Sequence, residues 1–183
     1  MSRQGGVKIR ESGMAFGPFD EDSVFHIEKS RLYCHVNLGR GQVPTAELLL
    51  LKKPAPALSK SPSLWLVEAK SSSPRPENNM RFKDFIGEVK AKLNSSLCLF
   101  AAALLGRHTE YCDLPDGFLK QDFSALEIKL ILVLRGHKKE WLEPVSDALQ
   151  KSLWSAARIW GFPSGNVVVI NDEMAKRLRL IED

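Results

Sequence analysis

SLWLVEAKSSSPRP, residues 63–76, is an apolar run that ends in an acid and a base and then breaks into serines and prolines. Successive side chains on a strand point to opposite faces, so every second residue shares a face. One face of this predicted strand carries Leu64, Leu66, Glu68 and Lys70. Glu68 and Lys70 therefore leave the same side of the strand at its end. They are either a solvated ion pair or part of a catalytic site.

The elements on both sides of this strand predict an alternating α/β order. Apolar residues at intervals of three and four predict a long helix after the proline break, with a buried second half. The apolar run before residue 63 predicts another strand, which pairs antiparallel with the strand that ends at Lys70, across a loop rich in proline and serine. The remaining runs predict two strands on either side of a second helix. The ranges are strand 45–54, loop 55–63, helix 77–106, strand 127–136, helix 138–161 and strand 166–172.

The N-terminal region is harder to interpret. Residues 1–22 are rich in glycine and charge and are expected to form an irregular entry to a single domain at 23–183. Residues 23–36 fit no single period, so a helix and a strand both remain open there. Early strands followed by alternating helix and strand favour an α/β sandwich with a mixed central sheet flanked by helices. The second helix is expected to bury Trp141, Val145, Leu149, Ala156 and Trp160.

Composition limits the class of protein. With 183 residues, of which 44% are hydrophobic, the chain has enough material for one domain with a core. A net charge of +4 and a pI near 9.0 permit a polyanionic partner. Three cysteines without a CxxC spacing argue against a disulfide framework or a structural zinc site. The longest apolar segment, residues 95–106, is shorter than the ~20 residues that span a bilayer. We expect a cytoplasmic protein without a membrane partner.

A second acid, Glu47, lies early in the strand that precedes residue 63. The start of one strand lies beside the end of its antiparallel neighbour, so Glu47 is expected close to Glu68. Hard divalent ions such as Mg²⁺ are held by one or two carboxylates together with water and substrate phosphate. A lysine beside such an ion orients or deprotonates the attacking water, or stabilises charge in the transition state. Without a metal, the two carboxylates repel and their pKa values should rise.

An acid early in one strand and Glu-X-Lys at the end of the next resembles the PD-(D/E)XK nuclease superfamily, with its restriction-endonuclease-like fold. The matching residues are Glu47 in VPTAELLLL and Glu68 and Lys70 in LWLVEAKSS. This resemblance implies that Glu47 and Glu68 bind Mg²⁺ or Mn²⁺ and that Lys70 serves catalysis. Many members add a glutamate from the preceding helix, and Glu28 is the candidate, with Glu11 as its rival. Two departures are a Glu where Asp is usual and a proline that does not directly precede it.

The resemblance implies a metal-dependent endonuclease that hydrolyses DNA phosphodiester bonds, an activity used in prokaryotic restriction, repair and phage defence. At this length we expect specificity to come from a homodimer or a protein partner. The alternative is a catalytically inactive member that binds nucleic acid or protein, since fold does not fix function. A third option is a nuclease for RNA or branched DNA. The basic loop at residues 135–140 is either a phosphate contact or a solvated cluster, and Glu88 is expected to be a surface residue.

Overall fold

The computed structural model describes residues 6–39, 41–53 and 62–182, so most of the loop expected at 55–63 lies outside the described residues. The described part contains seven strands and five α-helices. The strands are β1 (Val7–Glu11), β2 (Met14–Phe19), β3 (Val24–His26), β4 (Leu48–Lys52), β5 (Ser63–Lys70), β6 (Glu127–Leu134) and β7 (Val167–Asn171). The helices are α1 (Arg31–Val36), α2 (Asn79–Leu104), α3 (Asp116–Leu119), α4 (Leu142–Ile159) and α5 (Asp172–Arg177).

Strands β3 to β7 form one mixed sheet in the order β3-β4-β5-β6-β7. The first three strands run antiparallel, and β6 and β7 run parallel to β5. Leu48 lies opposite Val67, which confirms the antiparallel pairing expected between β4 and β5. Parallel neighbours need long crossovers, and α2 and α4 provide them. The expected α/β architecture, a mixed sheet flanked by helices, is confirmed.

The two faces of the sheet have different covers. Leu64 and Leu66 of β5 pack in one apolar cluster with Val89 and Leu93 of α2. The intervening residues of β5 belong to a second cluster on the opposite face. The buried second half of α2 is therefore confirmed. The helix ends at Leu104, and Gly106 follows with a left-handed φ of 68°, a common way for a helix to stop.

The expectation of an irregular N-terminal entry is wrong for residues 7–19. They form the antiparallel hairpin β1–β2, whose turn places Ser12 and Gly13 at positive φ values of 51° and 74°. Two successive positive φ angles are typical of the tight turns that match strand twist. Phe16 of β2 is 0% exposed and belongs to the apolar cluster on the second sheet face. The hairpin is ordered because its apolar side is buried against the sheet. Glycine and charge content do not reveal such an apolar side.

Both alternatives for residues 23–36 occur in succession. Strand β3 is followed by a 3-10 turn at Ile27–Lys29 and then by α1. The Ser30 hydroxyl accepts a hydrogen bond from the Tyr33 amide at 3.0 Å and so caps α1. A segment that changes from strand to helix within a few residues has no single period, which is why the pattern was ambiguous.

The inner face of α4 is partly as expected. Val145 and Leu149 are fully buried, together with Leu142 and Leu153. Trp141 and Trp160 were expected inside but are 51% and 38% exposed. They flank the helix rather than continue its apolar stripe, because Trp141 precedes its first residue and Trp160 follows its last. In the described ranges, no helix is long and apolar enough to cross a membrane. All three cysteines are free thiols, as expected.

Candidate active site

The register of β4 and β5 brings Glu47 and Glu68 together. The Glu47 amide donates to the Val67 carbonyl at 3.0 Å, one residue before β4 begins. Both side chains lie on the sheet face that α2 covers. Leu49 shares a strand face with Glu47, Leu66 shares one with Glu68, and both leucines belong to the apolar cluster that includes α2. Glu47 is 5% exposed and Glu68 is 0% exposed. The expected proximity of the two carboxylates is therefore present, in a nearly water-free setting.

Lys92 of α2 joins the two carboxylates and was not among the expected site residues. Its Nζ lies 3.0 Å from Glu68 Oε1 and 3.6 Å from Glu47 Oε1. Lys92 lies between Val89, Leu93 and Ser96, on the apolar face of the predicted helix. A charged residue on that face is the sequence signal that could have identified it as a site residue. Ser96 sits one turn further along and accepts a hydrogen bond from the Ala46 amide at 2.7 Å, which fixes α2 against the start of β4.

Lys70 also lies at the cluster, on its more open side. Its Nζ is 3.4 Å from Glu68 Oε1 and donates a 2.6 Å hydrogen bond to Glu88 Oε1. Glu88 has a side chain that is 54% exposed, as expected of a surface residue, but it also holds Lys70. A helix places residues 88 and 92 one turn apart on the same side, so α2 contributes one charge of each sign.

Glu28 and Glu11 both lie near the cluster, and each contributes electrostatically to it. Glu28 stands in the 3-10 turn before α1 and not on the helix itself. Glu11 ends β1, and the hairpin turn is held near β5 because the Ser12 hydroxyl donates to the Ala69 carbonyl at 2.8 Å. Burial, and then the charge of Glu28, raise the pKa of Glu11. The structure does not select one of these two acids over the other.

The pKa values in the cluster move in the directions that buried like charges predict. Burial, and then the charge of Glu68, raise the pKa of Glu47 to about 7. Burial raises the pKa of Glu68 despite the opposing charges of Lys92 and Lys70. Burial alone would lower the pKa of Lys92, but the charges of Glu68 and Glu47 outweigh it and raise that pKa. Lys92 is therefore a cation at neutral pH, and the pKa of Glu47 lies close to neutrality.

The oxygen atoms of the two acids have unused acceptor capacity. Glu47 Oε2 and Glu68 Oε2 are buried and accept no hydrogen bond, whereas Glu68 Oε1 is paired with Lys92 at 3.0 Å and with Lys70 at 3.4 Å. Buried polar atoms are otherwise almost always paired, so this group of atoms is suited to an additional cation. Within the described ranges, no three His, Cys, Asp or Glu side chains converge in a ready metal-binding group. The two carboxylates fit a divalent ion that completes its shell with water or phosphate.

We predict that the stability of the Glu47→Gln variant depends less on pH than the stability of the native protein. A glutamate with a pKa of about 7 in the folded protein and an ordinary value of 4.5 binds more protons when folded, so stability falls as pH rises between these values and is level above them. The difference between the two pKa values corresponds to roughly 3–4 kcal/mol. Urea unfolding across this range should show the decline in the native chain and a flatter profile in Glu47→Gln. Equal slopes in the two proteins would contradict the raised pKa.

The fold and the cluster define a mixed α/β protein with two buried carboxylates and two lysines where β4 begins and β5 ends. No protein-family model, curated protein or solved structure matches this chain. The resemblance to the PD-(D/E)XK superfamily thus remains a prediction, and it is carried by Glu47, Glu68 and Lys70 themselves.

Proposed function

We propose that this protein is a metal-dependent nuclease that hydrolyses DNA phosphodiester bonds on a restriction-endonuclease-like fold. The observation that carries the proposal is the pair of buried carboxylates, each with one oxygen that accepts no hydrogen bond, flanked by two lysines. Antiparallel β3-β4-β5, the crossover helix α2 and the parallel β6 follow the order expected of the family core. One difference is that α1 falls between β3 and β4 instead of preceding the three strands.

Each residue of the cluster has a role in this proposal. Glu47 and Glu68 hold Mg²⁺ or Mn²⁺, which supplies a more acidic bound water and neutralises charge on the scissile phosphate. Lys70, held by Glu88, orients the attacking water or stabilises negative charge in the transition state. Lys92 offsets the negative charge of the two buried carboxylates before the ion binds. Glu28 or Glu11 supplies a further acidic group at the rim.

The surface beside Lys70 favours a nucleic acid. An open groove of about 780 Å³ runs along the segment after β5 and the first turn of α2, and Arg75 and Arg81 line it together with one acid, Glu77. Arginines bind phosphate through two parallel hydrogen bonds, and such contacts position a nucleic acid without reading its sequence. A homodimer or a protein partner would then supply specificity for a particular DNA.

The second candidate is an inactive member of the same fold that binds nucleic acid or protein. One observation favours it, because Lys92 already provides a positive charge to both carboxylates. The two proposals differ in one property. The nuclease must exchange part of this ion pairing for a divalent ion, whereas the inactive module keeps the lysine as a permanent counter-charge.

A metal-binding and cleavage experiment separates the two candidates. The purified protein is incubated with linear, circular and single-stranded DNA in Mg²⁺, Mn²⁺ or EDTA, and its melting temperature is measured with each ion. We expect cleavage that requires the ion, together with a higher melting temperature in Mn²⁺, since a ligand that binds only the native state stabilises it. Cleavage that persists in EDTA would sink the proposed site. No cleavage and no thermal shift would support the inactive module, and cleavage of RNA alone would change the substrate.

A further inference from the structure

A cleft of about 490 Å³ lies beside the candidate active site and is not used by it. The loop after β5 forms one wall with Ser73 and Arg75, and the start of α4 forms the other with Glu140 and Trp141. His137 of the β6–α4 loop also lines it. This volume is within the usual range for a small-molecule site, so the cleft accommodates one planar ring system but not a stretch of duplex.

The loop that forms the cleft is held firmly by hydrogen bonds. The His137 Nδ1 atom lies 3.3 Å from the Arg135 carbonyl, which only accepts, so Nδ1 carries a hydrogen, and Nε2 forms a hydrogen bond with the Ser73 hydroxyl at 2.8 Å. The Asn171 side-chain amide donates to the His137 carbonyl at 2.8 Å. These contacts join the two walls, so the cleft is formed before any ligand arrives.

Trp141 supplies an exposed aromatic surface within this rigid setting. Its side chain is 51% exposed, although large aromatic residues usually bury most of their surface. The Lys138 Nζ lies over its ring, 5.5 Å from the centroid, and places a cation beside the indole. Aromatic surfaces with nearby cations bind single-stranded nucleic acids, because every base has a face that stacks and every nucleotide carries a phosphate.

The mixed charges of the cleft favour a base over a phosphate. Glu77 and Glu140 line the cleft together with Arg75, so an anion would meet two carboxylates there. A nucleobase, in contrast, has both donors and acceptors on its edges. Carboxylates accept from exocyclic amino groups, and arginine donates to ring nitrogens and carbonyl oxygens. The hydroxyl of Ser73 adds a further polar group.

The cleft is also within reach of the candidate active site. Ser73 lies three residues after Lys70, so their Cα atoms are at most about 11 Å apart. The Arg135 amide donates to the Lys70 carbonyl at 3.0 Å and ties the second wall to the same strand end. The cleft is therefore within a few nucleotides of a phosphate at Lys70.

We propose that this cleft binds one unpaired nucleobase of the DNA strand, stacked on Trp141, close to the phosphate that the active site contacts. The proposal rests on the proposed nuclease function for its substrate class. It goes further in requiring an unstacked base, since a base within a duplex has no free face to offer Trp141. The protein is therefore expected to favour single-stranded or unpaired DNA over intact duplex.

The test measures binding without cleavage. Fluorescence anisotropy at low salt in EDTA compares a labelled oligothymidylate with an abasic oligonucleotide of the same length and charge, using the native chain, Trp141→Ala and Trp154→Ala. Trp154 is the matched control because it is 58% exposed and lies on α4 outside the cleft. We expect Trp141→Ala to weaken oligothymidylate binding by about 5- to 100-fold, which is the range for loss of one stacked base. Trp154→Ala should bind like the native chain.

The abasic oligonucleotide provides the second comparison. It should bind the native chain more weakly than oligothymidylate and should not distinguish Trp141→Ala from the native chain. Equal affinity for the two oligonucleotides, equal losses in the two variants, or no binding of oligothymidylate would overturn the proposal. Base-dependent binding without any metal-dependent cleavage would remove the nuclease function and keep the base site. If Trp141→Ala binds oligothymidylate and cleaves DNA as the native chain does, the base site is removed and the nuclease function is kept.

Discussion

Replacement of Glu68 by glutamine should reduce metal-dependent DNA cleavage by on the order of 10³-fold, the scale of losing a central electrostatic contact in a transition state. The amide retains the size and one oxygen of the carboxylate but removes its charge. Glu68 is the least exposed acid of the cluster, and its Oε2 accepts no hydrogen bond. Its Oε1 lies between the two lysines, 3.4 Å from Lys70 Nζ and 3.0 Å from Lys92 Nζ.

The same substitution should leave the fold intact. Burial raises the pKa of Glu68, which means that the charged carboxylate is costly to keep away from water in the native state. A neutral glutamine avoids that cost. The rate of DNA cleavage in Mn²⁺ and the circular dichroism spectrum are measured for Glu68→Gln and for Glu173→Gln, which changes an exposed acid at the start of α5. Glu173→Gln should cleave at the native rate. A folded Glu68→Gln protein with native cleavage would place the chemistry elsewhere.

Replacement of Lys92 by methionine should destabilise the fold by about 3–5 kcal/mol at neutral pH and above, because it leaves two buried carboxylates without their shared cation. Methionine keeps most of the apolar length of the lysine stem, so the change is mainly one of charge. The free energy of unfolding in urea is compared with that of Lys90→Met, an exposed lysine two residues earlier on α2. Lys90→Met should lie within about 0.5 kcal/mol of the native chain.

Acid and a second substitution identify the origin of the loss. The penalty in Lys92→Met should shrink as pH falls towards 4.5, the ordinary pKa of a glutamate, because the folded protein then gains protons on Glu47 and Glu68 before the unfolded chain does. Adding Glu68→Gln to Lys92→Met should recover much of the stability, since neighbouring groups are not additive. A Lys92→Met protein as stable as Lys90→Met above neutral pH would show that the ion pairs are energetically unimportant.

The proximity of Glu47 and Glu68 could be predicted because it depends on local rules. Side-chain alternation sets the face of each residue on a strand, and antiparallel pairing sets which ends meet. The apolar intervals of α2 similarly predicted its buried face and its end near Gly106. These patterns repeat along the chain, so a short window contains the needed information.

The N-terminal hairpin and the exposed tryptophans show where local patterns fail. The alternation of Val7 with Ile9 and of Met14 with Phe16 was available in the sequence, but the high glycine and charge content around it suggested a loop. The second face of the sheet needed a cover, and the hairpin supplies it. Trp141 is apolar at a position next to a buried stripe, yet the helix starts one residue later and leaves its ring at the surface.

The sequence was sufficient for the mixed α/β order and for the meeting of Glu47, Glu68 and Lys70 at one strand end, since periodicity and strand pairing set both. Tertiary structure alone showed that Lys92 and Glu88 of α2 complete the charge cluster, and that Ser73, His137 and Trp141 line one cleft. The reason is physical: these contacts join residues distant in sequence, and their geometry depends on how a helix or loop packs across the sheet. No repeating pattern within a single helix or loop contains information about that packing.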